Sequence, residues 1–519
     1  MTMIRKLLLI LCLSLSLMNC SDMLEMDPEN SVTFENGLES ELDLESTLNS
    51  IQYNIRQNLG VGQWGMIVRG IMCDTTEAVV ARNFEYSYAP KQSWNDHYEI
   101  IAGANVVLHY VDEIQMPDAR KNYYRGAAYF YKAFAYLELI QYWGDCVLVD
   151  ENVPMDSQAK SYWTEVADHA IDLAEKAATL LPDFDKVTTA NGEAARYKSA
   201  PCKGAANTVL ALLTSWKAGC KWFAQPSERN YDENELWKKA EAACTAIIGS
   251  ESGQAKGVYQ LATTPEEVCT SVLVGGSKES LYESQYIGFW DEFDMTGWNP
   301  LQDNATLFQT WPMMDIGKKD VQTATVRIYA ETVKRMYESG DLRRDAYFYA
   351  FDEMSHPDSV SVTGGFAYPY KWRKVALVTS GSQIGKFLHI DQNRIWWRLA
   401  DIYLLRAECR VRLNKTELAI ADLNEIRKRA NAPLYNASEH GGDLRMTIFK
   451  EREKELIFEG YRYLDIVRNN YVRSMLGRGF RLASDQDYVD GCLFWAINTF
   501  AFVYNPRLRQ NTYWQKYEQ

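Results

Sequence analysis

Histidine is scarce in this chain. There are six in 519 residues (His97, His109, His169, His356, His389 and His440), and they form no H-x-x-x-H pair. The cysteines show no C-x-x-C and no zinc-like spacing, so a built metal centre has no sequence support. A P-loop and a G-x-S-x-G elbow are also missing, which removes the usual signs of phosphate cradling and of an α/β-hydrolase nucleophile. Positive charge is in deficit: 55 Lys and Arg face 69 Asp and Glu, a net charge of −14. An acidic chain of this kind carries no broad basic footprint for nucleic acid or anionic lipid. Beyond the first twenty residues, no segment is apolar and long enough to cross a bilayer, which takes about 20 residues.

The first twenty residues are the exception to this plainness. Arg5 and Lys6 precede an apolar run, Leu7–Leu17, and Leu17-Met18-Asn19-Cys20 follows as a lipobox-like cleavage site. The run is too short to span a membrane, so 1–19 is expected to be an export signal that is removed. Cys20 would then be the lipidated first residue, and the acyl chains would fix the protein to a membrane. Removal of 1–19 leaves 53 basic against 69 acidic residues, a net charge of −16. Residues 20–37 are polar and acidic and look like a tether.

Residues 38–519 are expected to form one body. Helical patterns cover 38–58, 96–115, 118–143, 160–182, 201–223, 234–249, 321–339, 394–413, 416–430 and 443–468. Segment 123–143 is apolar nearly all round, the mark of a helix buried in a bundle. Residues 394–433 read as a helical hairpin turning at Asn414-Lys415. Asp401–Leu434 has the 34-residue tetratricopeptide period. The fold class is therefore mainly α: a curved layer of tetratricopeptide-like helix pairs, about 38–250 plus 394–434. Loop-rich insertions at about 250–320 and 340–392 bring a few short strands. Eight cysteines remain after Cys12 and Cys20: Cys73, Cys146, Cys202, Cys220, Cys244, Cys269, Cys409 and Cys492. Most are expected to be small buried hydrophobes, with Cys220 and Cys244 the pair to test for a disulfide.

Six motifs, in order, resemble the SusD/RagB family of outer-membrane nutrient-binding lipoproteins. They are Leu24-Glu25-Met26-Asp27-Pro28; Trp94-x3-Tyr98-x2-Ile101-x2-Ala104-Asn105; Gly126–Tyr136 running to Tyr142-Trp143-Gly144-Asp145; Arg398–Glu408; Glu451–Arg462 with Leu464-Asp465-x2-Arg468; and Asn505-Pro506-x-Leu508-x-Gln510-Asn511. The resemblance implies a cell-surface lipid anchor at the outer membrane. It implies a SusC-like TonB-dependent transporter as partner, and capture of oligosaccharide, or in some cases peptide, rather than catalysis. A pure protein-interaction scaffold is the alternative from another class.

Seven rings fall within 26 residues of loop-rich sequence: Tyr286, Phe289, Trp290, Phe293, Trp298, Phe308 and Trp311. Their spacing is not helical, and Asp291, Asn299, Gln302, Asp303 and Asn304 are interleaved with them. Rings can cover the C–H face of a sugar while amides and carboxylates take its hydroxyls. The expected ligand residues are Trp290, Trp298, Trp311, Tyr286, Asp291 and Asn299, with a second patch at Arg82, Asn83 and Tyr86. Trp94, Trp143, Trp396 and Trp397 are expected in the core. Glu451, Glu455 and Glu459 form a column at i, i+4 and i+8. Glycosidase acids flank a cleft from two sides, so this column reads as structural ion pairs, with Arg452, Arg462 and Arg468 near enough to neutralise it. No cofactor is expected. Asp485-x-Asp487-x2-Asp490-Gly491, and Asp291, Glu292 and Asp294, are the only calcium candidates, the first interrupted by Val489 at the fifth position.

Overall fold

The computed structural model describes residues 37–59, 77–78, 93–149, 157–286, 326–385 and 387–517. Helix α1 (Glu41–Asn54) starts at a capping box in which Ser40 and Asp43 satisfy each other's backbone N–H groups. It packs on α2 (Asn95–Tyr110), and α2 packs on α3 (Asp118–Tyr142). The all-round apolar pattern of α3 has its predicted consequence: every side chain from Phe130 to Tyr142 is buried. Gly126 marks the closest approach of the next helix, α4 (Trp163–Leu180). A Cβ there would lie 3.0 Å from Cγ of Leu181.

The stack continues through α5 (Lys203–Gly219) and α6 (Glu233–Ile248), each packed on the one before. It then resumes across the whole of 249–398: α6 packs on α7 (Leu399–Arg412), which pairs with α8 (Thr416–Arg429) and touches α9 (Leu444–Leu456). The patterns 118–143 with 160–182, 201–223 with 234–249, and 394–413 with 416–430 are each present as a packed helix pair. Asn414 turns the α7–α8 hairpin with φ +59°, a conformation that asparagine tolerates better than most residues.

Three segments differ from expectation. The pattern 321–339 contains a strand, β3 (Val326–Tyr329), before a short helix, Ala330–Met336. The pattern 394–413 opens with a strand, β7 (Arg394–Arg398), because Ile395-Trp396-Trp397 suits a pleated, buried strip better than a helix. It pairs antiparallel with β2 (Ser280–Ser284). The pattern 443–468 breaks after α9, where Phe458 at φ +64° and Gly460 at φ +96° turn the chain into α10 (Arg462–Arg468). In the first sheet, β1 (Glu77–Ala78) pairs with β3, and β3 with β4 (Phe366–Ala367); β5 (Val375–Leu377) pairs with β6 (Phe387–Ile390).

Rings seat the β2–β7 ribbon on α3. Tyr282 meets Phe130 edge-on at 5.1 Å, and Phe134 meets Trp396 at 5.1 Å and Trp397 at 5.7 Å. Trp94, Trp143, Trp396 and Trp397 are buried, as expected. The seven described cysteines are free and buried, so Cys220 and Cys244 form no disulfide; Cys73 lies outside the described residues. Burial raises the thiols, Cys269 to about 12, which suppresses the reactive thiolate.

The C-terminal segment closes the end of α3. Asn511 Nδ2 donates to the Trp143 carbonyl at 3.0 Å, and the backbone N–H of Trp495 donates to the Tyr142 carbonyl at 2.6 Å. Gly144 makes the turn between them at φ +73°, with Phe494 Cε2 only 2.5 Å from where a Cβ would stand. Gly144→Ala is therefore expected to lower stability by roughly 1–3 kcal/mol, through left-handed strain and overpacking together. Gly253 has the same φ with nothing within 4 Å, so Gly253→Ala should show the smaller, purely backbone loss. Urea midpoints of the two variants check this; equal losses would contradict it.

Candidate functional site

The glutamate column is buried and paired, but not by its sequence neighbours. Glu451 forms an ion pair with Arg343 Nη1 at 2.7 Å and accepts from Arg427 Nε at 2.9 Å. Glu455 faces Arg398 Nη1 at 2.7 Å and also meets Arg429. Glu459, just past the helix, takes a forked contact from Arg398 at 2.7 and 2.8 Å and meets Lys371. Arg398 Nη1 also reaches Glu279 at 2.8 Å. The arginines expected for this role serve elsewhere. Arg452 pairs with Asp401 and Asp465, Arg462 with Glu453, and Arg468 with Glu408 and Asp465. Helix geometry explains the correction: neighbours i and i+1 do not face each other, so Arg452 is directed away from Glu451.

The lowered carboxyls have a common cause. Burial alone would raise Glu455 and Glu459. For Glu455 the cations of Arg429, Arg398 and Arg343 outweigh it, and for Glu459 those of Arg398 and Lys371. Such a column, buried and met by cations at each carboxylate, is a strut. It ties α9 and α8 to β7, to Glu279 just before β2, and to the 343–371 region, so it holds the insertions against the helical stack.

Beside β7 lie Leu59 and Tyr286, the described residues that precede 60–92 and 287–325 in sequence. At one side, the Tyr286 hydroxyl donates to the Arg56 carbonyl at 2.7 Å, and the Tyr286 N–H donates to Asn393 Oδ1 at 2.9 Å. Arg394 Nη1 donates to the Leu59 carbonyl at 3.4 Å, and the Arg394 guanidinium sits 4.1 Å over the Trp396 ring. Leu59 is thus held by Arg394, and Tyr286 by Asn393, next to Arg394, and by Arg56. At the other side, Ala78 pairs with Val326 and Glu77 with Arg327. Residues far apart in sequence are thus joined at two places, Arg56–Leu59 beside Tyr286 and Glu77–Ala78 beside Val326–Arg327.

Tyr286 is the one predicted ligand residue inside the described part of the chain. It is buried, with its hydroxyl spent on Arg56. Its hydroxyl bond to Arg56 and its N–H bond to Asn393 fix the chain at residue 286. Trp290, Trp298, Trp311, Asp291, Asn299, Arg82, Asn83 and Tyr86 lie outside the described residues, as do Cys20 and the Asp291–Asp294 calcium candidate. At 485–491, Asp487 caps the short helix Asp485–Val489 through Ser484 and meets Lys516 at 3.2 Å, while Asp485 meets Arg473 at 2.6 Å. Those carboxylates serve a helix start and two cations, and among the described residues no group of three or more His, Cys, Asp or Glu is placed to hold a metal. Sequence reasoning did not single out Arg56, Asn393 and Arg394. Their only signal was position, at or near the boundary between helical pattern and loop.

Comparison with known proteins agrees with this architecture. The SusD family model matches residues 274–514, and a model described as "Starch-binding associating with outer membrane" matches 33–211. The curated SusD-like protein P38 of Formosa agariphila is 23% identical, over 97% of both chains. A SusD homolog of Bacteroides thetaiotaomicron superposes with TM-score 0.71 at 20% identity, covering 92% of this chain and 98% of that one. A laminarin-binding SusD-like protein superposes with TM-score 0.66 at 19% identity, covering 91% and 99%. The two family matches span most of the chain, on the fold those structures share, and the chain belongs to the SusD family.

Proposed function

We propose that this protein is a cell-surface lipoprotein, anchored to the outer membrane through Cys20, that captures an oligosaccharide for a SusC-like TonB-dependent transporter. The ligand residues are Trp290, Trp298, Trp311, Asp291 and Asn299 on one loop segment, with Arg82, Asn83 and Tyr86 on the other. The carrying observation is where the described neighbours of these residues meet: adjacent Arg394 and Asn393 hold Leu59 and Tyr286, and Ala78 pairs with Val326. A laminarin-binding relative supports a glucan as the class to try first.

Three stacked rings at roughly 0.5–1.5 kcal/mol each account for at least a tenfold share of the affinity. The test is calorimetry with laminarin and other neutral oligosaccharides on the chain lacking residues 1–20, beside a Trp290/Trp298/Trp311→Ala variant. The expected result is at least tenfold weaker binding by the variant, with an unchanged circular dichroism spectrum. Wild-type affinity in the variant would remove these rings from the site. Binding of peptides and no sugar would replace the ligand class.

A further inference from the structure

A cleft of about 630 Å³ opens between the start of α2, residues Val147–Val149 and the short C-terminal helix Phe500–Tyr504. None of its described lining residues is charged, in a chain where charged residues make up 24%. Four of them are rings: Trp94, Tyr98, Phe500 and Tyr504. The floor is fixed. Trp94 lies 5.6 Å edge-on from Tyr98 and 6.3 Å from Trp143. The Tyr98 hydroxyl donates to the Val147 carbonyl at 3.0 Å and accepts from the Val147 N–H at 2.8 Å. The rim is open, with Phe500 at 72% and Tyr504 at 86% exposure.

Phe500 and Tyr504 stand one helical turn apart, so their Cβ atoms are about 5–6 Å from each other, comparable to the step from one hexose to the next. Three polar groups of the lining have no protein partner among the described residues: the Trp94 indole N–H, the Asn95 carboxamide and the Tyr504 hydroxyl. Rings beside unspent donors and acceptors, without a charge, match a ligand with C–H faces and hydroxyls. An anionic ligand would find no cation in the lining. An apolar protein surface would bury those polar groups unpaired, which is costly.

We propose that this cleft is a second carbohydrate site, one that takes a short neutral oligosaccharide. It stands apart from the loop reading above, because every residue it uses is distinct from the loop residues. The experiment titrates the full chain with cellohexaose, maltohexaose and mannohexaose, and with an oligogalacturonate as the anionic probe. Alongside go Phe500→Ala/Tyr504→Ala, the loop-tryptophan variant, and Leu482→Ala as a control that is comparably exposed (71%). Both aromatic positions are exposed, so the fold is expected to survive their truncation; Tyr504→Phe, which keeps the ring, should retain most of the binding. For the neutral probe bound most tightly at this site, the double variant should weaken affinity at least tenfold or remove one of two binding steps. Leu482→Ala should do neither. Unchanged binding in the double variant, a preference for the oligogalacturonate that depends on these rings, or no neutral probe bound at millimolar concentration would each overturn the proposal. Loss of all sugar binding in the loop variant alone, with the double variant unaffected, would sink this site and leave the loop reading standing.

Discussion

Arg398→Ala is expected to destabilise the protein by about 3–5 kcal/mol, the range for removing one partner of a buried ion pair. The guanidinium is 1% exposed and meets Glu279, Glu455 and Glu459. Its loss leaves those carboxylates in a low-dielectric site with Arg343, Arg429 and Lys371 as the remaining cations. Their uncompensated charge, more than the missing attraction, drives the effect. Arg398→Met with Glu279→Gln should therefore recover part of the loss, because it removes a charge of each sign. Urea denaturation followed by tryptophan fluorescence measures both. An Arg398→Ala midpoint equal to wild type would show that the pairs contribute nothing, and the strut would have to be abandoned as a stabilising element.

Acid should unfold the protein between about pH 4.5 and pH 2. Glu408 shows the sign most clearly. Burial works to raise its carboxyl, but Arg468, Arg452 and Arg412 outweigh that and hold it at about 2, against an ordinary 4.5. A depressed carboxyl stabilises the fold fully above its unfolded value and loses that contribution as pH falls through the folded one. For Glu408 this is roughly 3 kcal/mol. Glu451, Glu455 and Glu459 are lowered too, and act in the same direction. Asp401 and Asp422 are raised, burial outweighing Arg452 for the first and Arg406 for the second. Their sign is opposite: protonation relieves them, which softens the onset just above pH 4. Circular dichroism across pH 2–7 should show a flat plateau above pH 5 and a cooperative loss below 4. Glu408→Gln should begin less stable at pH 7 and lose less on acidification. Full native signal at pH 2 would contradict the assignment.

Much of the helical layer was legible in the sequence. The 3.6 period locates α3, α5, α8 and the end of α7 to within a few residues, since each has an apolar face to bury. The strand β7 was not legible, because Ile395-Trp396-Trp397 runs straight into the helical pattern of α7, and a short apolar run cannot be assigned by period alone. Ion pairing was legible in kind and wrong in partner. Arg343, Arg398 and Arg429 reach the glutamate column from distant elements, and only the fold shows that. A sequence sign of buried charge was present in α7, where Asp401, Arg406, Glu408 and Arg410 are interleaved with apolar residues; both arginines prove fully buried against Asp422. The contacts that hold Leu59 and Tyr286 rest on Arg56, Asn393 and Arg394, residues that no local pattern distinguishes.

The packing of α6 on α7 across 249–398 has a consequence for biosynthesis. A ribosome adds roughly 5–20 residues per second, so the intervening chain takes roughly 8–30 s to appear. During that time the face of α6 that α7 will cover has no partner to dock on, and collapse within such a chain is complete in well under a millisecond. The nascent N-terminal half therefore passes through a long window as a sticky intermediate. Export before folding, or a holding chaperone, would spare it from aggregation. The order of synthesis makes α7 the late clasp on which completion of the molecule waits.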